Sequence, residues 1–253
     1  MRRSIELDHR NLELARNFTY VERQETRFLD STGRVKETSS RTTDIIWLEG
    51  SPYRRMVARD NKPLPPAEQR KEDEKLRLAT AARHAEGPAQ IQARLADWDR
   101  RQRHMHEPLS EVPDAFTFKL SGEETLNGRE AYVIDATPKP GYKPRQAASA
   151  YLPHVKARLW IAKSDFQWLK AEAETLDTIT FGGFLIRIAK GTHIDMEQSY
   201  VNKEAWILTK VSLHGSVRIA LVKVIHGAID FNWSGFQRVS AEPSVASTPR
   251  QER

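Results

Sequence analysis

His104-Met105-His106 sets two imidazoles two residues apart. That spacing suits one side of a strand but not one side of a helix, because side chains repeat every second residue only in a strand. The pair stands at the end of a helical segment without an evident third ligand. His154, His193, His214 and His226 have no ligand-like spacing either, so no metal site is expected. Carboxylates pair at Glu22/Glu25, Glu123/Glu124 and Glu172/Glu174. Only the last pair shares a strand face, and its alternation with Lys170 describes a solvated face rather than an acid–base dyad. The chain has no cysteine, which removes a thiol nucleophile, thiolate metal sites, disulfides and a lipidated N-terminal Cys. No G-x-S-x-G, H-E-x-x-H, phosphate-binding loop or G-x-G-x-x-G occurs, and Gly182-Gly183 reads as a hairpin turn. No catalytic residues and no cofactor are expected.

The chemistry left to consider is binding. Between Pro138 and Lys170 there are seven bases and one acid, an excess equal to the formal net charge of +6. Such a segment attracts anions, or else is a solvated surface whose lysines blunt strand edges. Tyr142, Tyr151, Trp160 and Trp168 fall among these bases, as single-strand nucleic-acid binding would need. No recognisable nucleic-acid-binding pattern accompanies them, and no nucleic-acid partner is expected. Glu68 to Glu107 carries nine bases and eight acids and reads as an ion-paired helix surface.

The elements that position these residues are mostly strands. Met1-Arg2-Arg3 is not followed by the apolar run of a secretory signal, so the chain is either cytoplasmic or a mature or truncated form of an exported protein. Ser4 is placed as the cap of a short helix with Ile5, Leu12 and Ala15 on one side. Phe18 to Leu29, Val35 to Leu48 and Tyr53 to Arg59 read as three antiparallel strands joined by turns. From Ala67 to His104 the chain is helical, interrupted at Gly87-Pro88. Strands resume at Phe116 to Leu120 and, past an Asn127-Gly128 turn, at Glu130 to Thr137. A Pro-rich connector leads to a short helical piece near Ala147 to Leu152. Arg158 to Ala162, Gln167 to Ile179, Phe184 to Ala189, His193 to Tyr200, Ala205 to Leu213 and Val217 to Trp233 complete the strands. No apolar stretch nears the roughly 18 residues that span a bilayer. The pattern predicts an α+β fold: a large, strongly curved antiparallel sheet of ten or eleven strands with helices over its concave face. Residues 1–239 form one domain with a helical insertion at about 64–113, and 240–253 is a disordered tail.

Several strands carry bulky residues on one face: Phe18, Tyr20 and Phe28; Ile45 and Trp47; Phe184, Ile186 and Ile188; Ile194 and Met196; Ile219 and Leu221. A concave apolar face must be covered. Helices that fill it completely and a cavity left for a hydrophobic ligand are both open on composition alone.

Asn127-Gly128-Arg129-Glu130-Ala131-Tyr132-Val133-Ile134-Asp135-Ala136-Thr137-Pro138 is followed by Ala157-Arg158-Leu159-Trp160-Ile161-Ala162-Lys163 and Gln167-Trp168-Leu169-Lys170-Ala171-Glu172. A late strand ends at Asp230-Phe231-Asn232-Trp233-Ser234-Gly235-Phe236, and Phe18-Thr19-Tyr20-Val21-Glu22-Arg23 opens the sheet. In this order of elements the chain resembles the LolA/LolB-like superfamily, of the outer membrane lipoprotein-sorting protein type. The resemblance covers roughly Phe18 to Arg59 and Phe116 to Arg238. It implies an unclosed β-barrel that binds acyl chains of lipoproteins or phospholipids and carries them between membranes in the periplasm, as a monomer and without covalent chemistry. The implied lining is Tyr20, Phe28, Ile45, Trp47, Phe184, Ile186, Ile188, Ile194, Met196, Ile219 and Leu221. Lys139, Lys143, Arg145 and Lys156 would form a headgroup or partner surface, with a transient membrane or envelope-protein contact. The lack of cysteine departs from the membrane-anchored acceptor type, and the charged insertion would serve as a lid or a partner surface. The fold also resembles MucB/RseB-like envelope regulators, which implies the alternative of a lipid-sensing protein that binds a protein partner. A structural envelope protein with a filled interior is the third reading.

Overall fold

The computed structural model describes residues 1–30, 32–181, 186–219 and 223–239. Within them, α1 (Arg2–Ala15) precedes β1 (Phe18–Leu29), β2 (Val35–Leu48), β3 (Ser51–Arg59) and the two-residue β4 (Lys62–Pro63). Helices α2 (Pro66–His84) and α3 (Pro88–Ala115) lead into β5 (Phe116–Leu126) and β6 (Arg129–Pro138). A connector with single 3-10 turns at Ala147–Ser149 and Leu152–His154 reaches β7 (Val155–Ala162), β8 (Trp168–Thr175), β9 (Ile179–Phe181) and β10 (Ile186–Ile188). The long strands β11 (His193–Val201), β12 (Ala205–Ile219) and β13 (Lys223–Arg238) close the series.

All thirteen strands belong to one sheet, in the order β4-β3-β2-β1-β13-β12-β11-β8-β7-β6-β5, with the β9–β10 hairpin attached to β12. The two ends, β4 and β5, do not pair, so the sheet is an unclosed antiparallel barrel with helices, as the sequence predicts. Register shifts interrupt the ladders β1–β13, β1–β2, β2–β3, β5–β6, β7–β8 and β11–β12. Bulges of this kind bend strands and raise their twist, which is how a wide antiparallel sheet curls. Asn127 and Gly128, at φ 49° and 77°, make the tight turn between β5 and β6 whose twist matches the strands it joins.

Helix α3 spans 28 residues, about 42 Å at 1.5 Å per residue. Toward its start the Trp98 ring meets Trp47 of β2 edge-on at 5.2 Å. At its end Val112 and Ala115 pack on Phe116, Phe118 and Ala136 of β5 and β6. The helix therefore touches strands near both ends of the sheet order. None of the described helices is long and apolar enough to cross a membrane.

Four sequence expectations are corrected. Ser4 is not a cap: α1 begins at Arg2 after Met1, and its buried residues are Ser4, Asp8 and Asn11 rather than Ile5, Leu12 and Ala15. The reason is chemical, because the sheet below presents an indole N–H and two amides that need polar partners. The second helix does not end near His104 but runs to Ala115 through Pro108 and Pro113, each of which withholds an N–H from the ladder. Gln167 to Ile179 is not one strand, since β8 stops at Thr175. There the Thr175 hydroxyl donates to Ala189 O at 2.7 Å and accepts from Thr192 N at 2.9 Å, fixing a corner. The expected strands Ala205 to Leu213 and Val217 to Trp233 are divided elsewhere, since β12 runs through His214-Gly215-Ser216 to Ile219 and β13 begins at Lys223. Gly215 pairs with Gly227, and a Cβ there would lie 2.4 Å from Thr192 Oγ1, so this glycine serves close packing. The expected tail, 240–253, lies outside the described residues.

Candidate functional site: the apolar face of the sheet

Cα partners across a ladder carry their side chains on the same face, so the registers sort the sheet into rows. One row runs from β13 to β5 through Phe231, Val211, Met196, Ala171, Leu159, Ile134 and Leu120. Its neighbour two residues along runs through Ile229, Leu213, Ile194, Ala173, Ala157, Ala136 and Phe118. Both rows are wholly apolar. They end at β1 and β2, where Gln24 faces Arg41 and Thr26 faces Ser39.

Apart from buried Ala171 and Ala136 and the exposed Leu120 (59%), every residue of this band is half-buried. One tightly packed cluster takes in the band's end, where Ala136, with Phe118 and Ala157 against it, joins Ala115, Phe116, Leu152, Val155 and Ile179; another joins Phe18, Val201, Ala205 and Ile207 under Leu14 and Ala15 of α1. The band thus lies between two packed ends and keeps apolar area open to solvent.

The opposite face holds the buried pair Val133 and Trp160 and, beside it, a grid of charge. Between the two apolar rows runs Glu25, Asp230, Ser212, Asp195, Glu172, Arg158, Asp135 and Lys119. Arg27 meets Asp230 at 2.5 Å, Arg158 meets Asp135 at 2.7 Å, Lys156 meets Glu174 at 2.8 Å, and Lys170 meets Glu172. Burial disfavours the Lys170 ammonium, yet the Glu172 carboxylate holds its pKa above the ordinary value. The basic segment seen in the sequence is therefore largely neutralised by carboxylates that flank it, Asp135 of β6 just before it and Glu172 and Glu174 of β8 just after. Arg145 likewise meets Asp114 at 3.1 Å, and Lys139 Nζ reaches Pro113 O at 3.4 Å, while Lys143 is exposed. Trp160 donates to Glu124 at 2.9 Å and Tyr142 donates to Glu111, so these aromatics serve the fold.

Polar contacts tie the helices to the apolar side. Asp8 of α1 accepts from Trp168 Nε1 and Gln198 Nε2, and Gln198 shares its face with Met196. Arg83 donates to Leu48 O and Ser51 O at 2.8 and 2.9 Å, and Arg94 to Glu49 O at 3.0 Å and Ser51 Oγ at 2.6 Å. The α2–α3 elbow is thereby clamped to the β2–β3 turn. At the other end of α3, Glu111 is fully buried (0%) and accepts from Tyr142 Oη, Arg145 N at 2.9 Å and Ser149 Oγ at 2.7 Å. Burial opposes its charge, but these donors keep its pKa below the ordinary carboxylate value.

Of the expected lining, Ile194 and Met196 lie in the apolar rows, and Ile188 packs at the band's end beside Phe118 and Ala157. Tyr20 and Ile45 face each other beyond its β1 border; Ile45 is buried (2%), and the Tyr20 ring sits 5.6 Å from Phe236. Trp47 packs under α3, its indole donating to Phe18 O at 2.9 Å. Phe28 faces Glu37 and Gly227, and Ile186 is exposed (41%). Ile219 stands in β12 opposite Ile186, while Phe184 and Leu221 lie outside the described residues. The band's β5–β8 half, with Ile134, Leu159 and four alanines, is absent from the expected lining. Its signal was the alternation Tyr132, Ile134, Ala136, muted because alanine marks a face weakly. Among the described residues no three His, Asp or Glu side chains group as metal ligands. His104 meets Glu107 at 3.1 Å, whereas half-buried His106 lines a cleft of about 350 Å³ between α1 and α3 with His9, Leu12 and Arg16. A second cleft, of about 540 Å³, lies over Pro88, Ile91 and Leu95. Neither cleft is lined by the apolar band.

No family model and no curated protein matches the chain. Solved structures do, over nearly the whole length. A putative outer membrane lipoprotein-sorting protein domain from Vibrio parahaemolyticus is 10% identical, with 95% of this chain and 94% of that one covered and a TM-score of 0.39. A LolA superfamily protein from Nitrosomonas europaea is 12% identical, with 93% and 94% covered and a TM-score of 0.34. The MucA/MucB complex of Pseudomonas aeruginosa is matched at 11% identity, with 92% and 94% covered and a TM-score of 0.26. These likenesses, all of low identity and low TM-score, assign no family.

Proposed function

We propose that the chain is a non-catalytic lipid-binding protein of the cell envelope, which holds acyl chains of lipoproteins or phospholipids against the apolar face of its sheet and carries them between membranes in the periplasm. The observation that supports this is the two-row band from Phe231 and Ile229 to Leu120 and Phe118, apolar throughout and, apart from buried Ala171 and Ala136 and exposed Leu120, half-buried. An acyl chain laid along it gains about 0.8 kcal/mol per methylene removed from water, so few specific polar groups are required. The clamped α2–α3 strap on the same side suits a cover that admits and retains a chain.

The test is mass spectrometry of lipids extracted from the full chain after export to a bacterial periplasm. A stoichiometric acylated molecule, lost in Met196→Glu and retained in Lys143→Gln, is the expected result. An empty protein that added lipid does not stabilise would leave a filled interior and end the proposal. Pull-down then distinguishes a carrier, which releases its cargo to an acceptor, from a lipid-sensing regulator, whose hold on one protein partner changes with lipid.

A further inference from the structure

We infer that the strands β9, β10, β12 and β13 carry, at the end marked by Arg187 and Arg218, a docking surface for an anionic lipid bilayer. Thr180, Arg187, Arg218 and Val224 are successive Cα partners and form one row on four strands. Two guanidinium side chains are therefore held directly opposite each other on neighbouring strands. Like charges in that position destabilise a sheet, so the pair favours an anion, and the described residues place none against it.

Elsewhere in the sheet cations meet carboxylates, as Arg27 meets Asp230 and Lys156 meets Glu174. Among the described residues, Arg187 and Arg218 are exposed and have no such partner. The composition around them explains why. Neither Thr178 to Ile194 nor Leu213 to Ile229 contains an Asp or Glu, while the two stretches hold Arg187, Lys190, Arg218 and Lys223.

An aliphatic side chain stands exposed beside the cations, since Val224 (42%) faces Arg218 across the ladder. Cations that match phosphate geometry, together with this exposed valine and no acids, complement the headgroup layer of an anionic bilayer, where both kinds of contact are available at once. An acidic protein would use the arginines but give Val224 less. This surface is separate from the apolar band and does not depend on whether that band holds a lipid.

Flotation of the full chain with vesicles tests the inference. Vesicles of phosphatidylglycerol and phosphatidylcholine in equal parts should carry the chain, and vesicles of phosphatidylcholine alone should carry far less. Arg187→Gln or Arg218→Gln should each lower partition about fivefold, the equivalent of about 1 kcal/mol per charge near an anionic surface, and the double variant about thirtyfold. Arg187→Lys with Arg218→Lys should retain binding. A salt titration of the unmodified chain reads the same surface without a variant: partition must fall steeply with ionic strength. Equal partition onto both vesicle types, salt-independent partition, or a double glutamine variant that binds like the unmodified chain would each overturn the inference. Absence from both vesicles with arginine-dependent capture of polyglutamate would also overturn it, in favour of an acidic protein partner.

Discussion

Trp168 Nε1 donates a hydrogen bond of 2.6 Å to Asp8 Oδ1, joining the first helix to the eighth strand across 160 residues of chain. The same oxygen accepts from Gln198 Nε2 at 2.7 Å, and Asn11 one turn on donates to Gln167 Oε1 at 2.7 Å. A polar stripe, Ser4, Asp8 and Asn11, seats α1 on the sheet. Asp8→Ala should cost about 2–3 kcal/mol, because it strands two buried donors, whereas Asp8→Asn, which keeps a carbonyl acceptor, should cost about half as much. Chemical denaturation gives the totals, and hydrogen exchange should report lost protection in α1. Unchanged protection in Asp8→Ala would assign the anchorage to Leu14 and Ala15 instead.

Glu111 and Tyr142 make a pH prediction of opposite signs. The Glu111 carboxyl titrates below its ordinary value in the folded chain, so its contribution is present above that ordinary value and is lost as pH falls through the lowered one. Tyr142 is pushed up to about 12 by burial and then by its bond to Glu111; its contribution is complete below 10.0 and disappears as pH rises from there to about 12. Stability measured against pH should therefore fall at both extremes. Glu111→Gln should flatten the acid limb and cost about 3 kcal/mol at neutral pH, since it weakens three bonds to a buried group. An acid limb unchanged in Glu111→Gln would place the acid sensitivity in other carboxylates.

These two anchors also mark what the sequence could and could not convey. Strand existence was legible wherever β-branched and aromatic residues alternate between turn residues, and β1 and β2 occur with the predicted bounds. Asp8, Asn11 and Glu111 were not legible as buried groups. A polar residue on a helix reads as solvent-facing until its partner, here 31 to 195 residues away, is brought to it. The basic segment misled because its bounds, Pro138 to Lys170, stop just short of Asp135 and Glu174, which neutralise Arg158 and Lys156 across the ladders. Of the fourteen residues of the apolar band only Ile194 and Met196 were in the expected lining, and in the β5–β8 half four alanines muted the pattern, because small residues carry little periodic signal.

Gly227 predicts a sharp local failure. A Cβ there would lie 1.8 Å from Arg27 O, and its φ is +153°. Backbone cannot yield as a side-chain tip does, so Gly227→Ala should push β1 from β13 and cost several kcal/mol, on the order of 3–5. Gly128, in open space at φ +77°, should cost only about 1 kcal/mol when made Ala. Paired thermal denaturation curves check the contrast; equal losses would mean that the β1–β13 ladder relaxes freely around position 227.

The apolar band yields a prediction on exchange. Val211 and Met196 are Cα partners in its middle, both half-buried, so Val211→Asn should reduce retention of a fluorescent fatty acid about tenfold while lowering stability by only about 1–2 kcal/mol. A fully packed interior would reverse that ratio, giving a large stability loss and no change in retention.

The Arg83 and Arg94 clamp should set the rate at which such a ligand leaves. Both guanidiniums donate to oxygens of the β2–β3 turn, Arg83 to Leu48 O and Ser51 O and Arg94 to Glu49 O and Ser51 Oγ. Burial lowers the Arg83 pKa, yet the group stays charged at any physiological pH and keeps its fork on the carbonyls. Arg83→Lys retains charge but not the planar fork, so the elbow should loosen although the net charge is unchanged. The unclamped helices then swing on the Glu111 anchor at the far end of α3. Stopped-flow dissociation should be faster in Arg83→Lys and faster still in Arg83→Ala with Arg94→Ala, with equilibrium stability lowered by about 1–3 kcal/mol. Hydrogen exchange should rise from Glu86 to Trp98 and not near Glu111. Faster exchange at Glu111 as well would mean that α3 opens as one rigid body, and the clamp would then hold the whole helix and not its first turns alone.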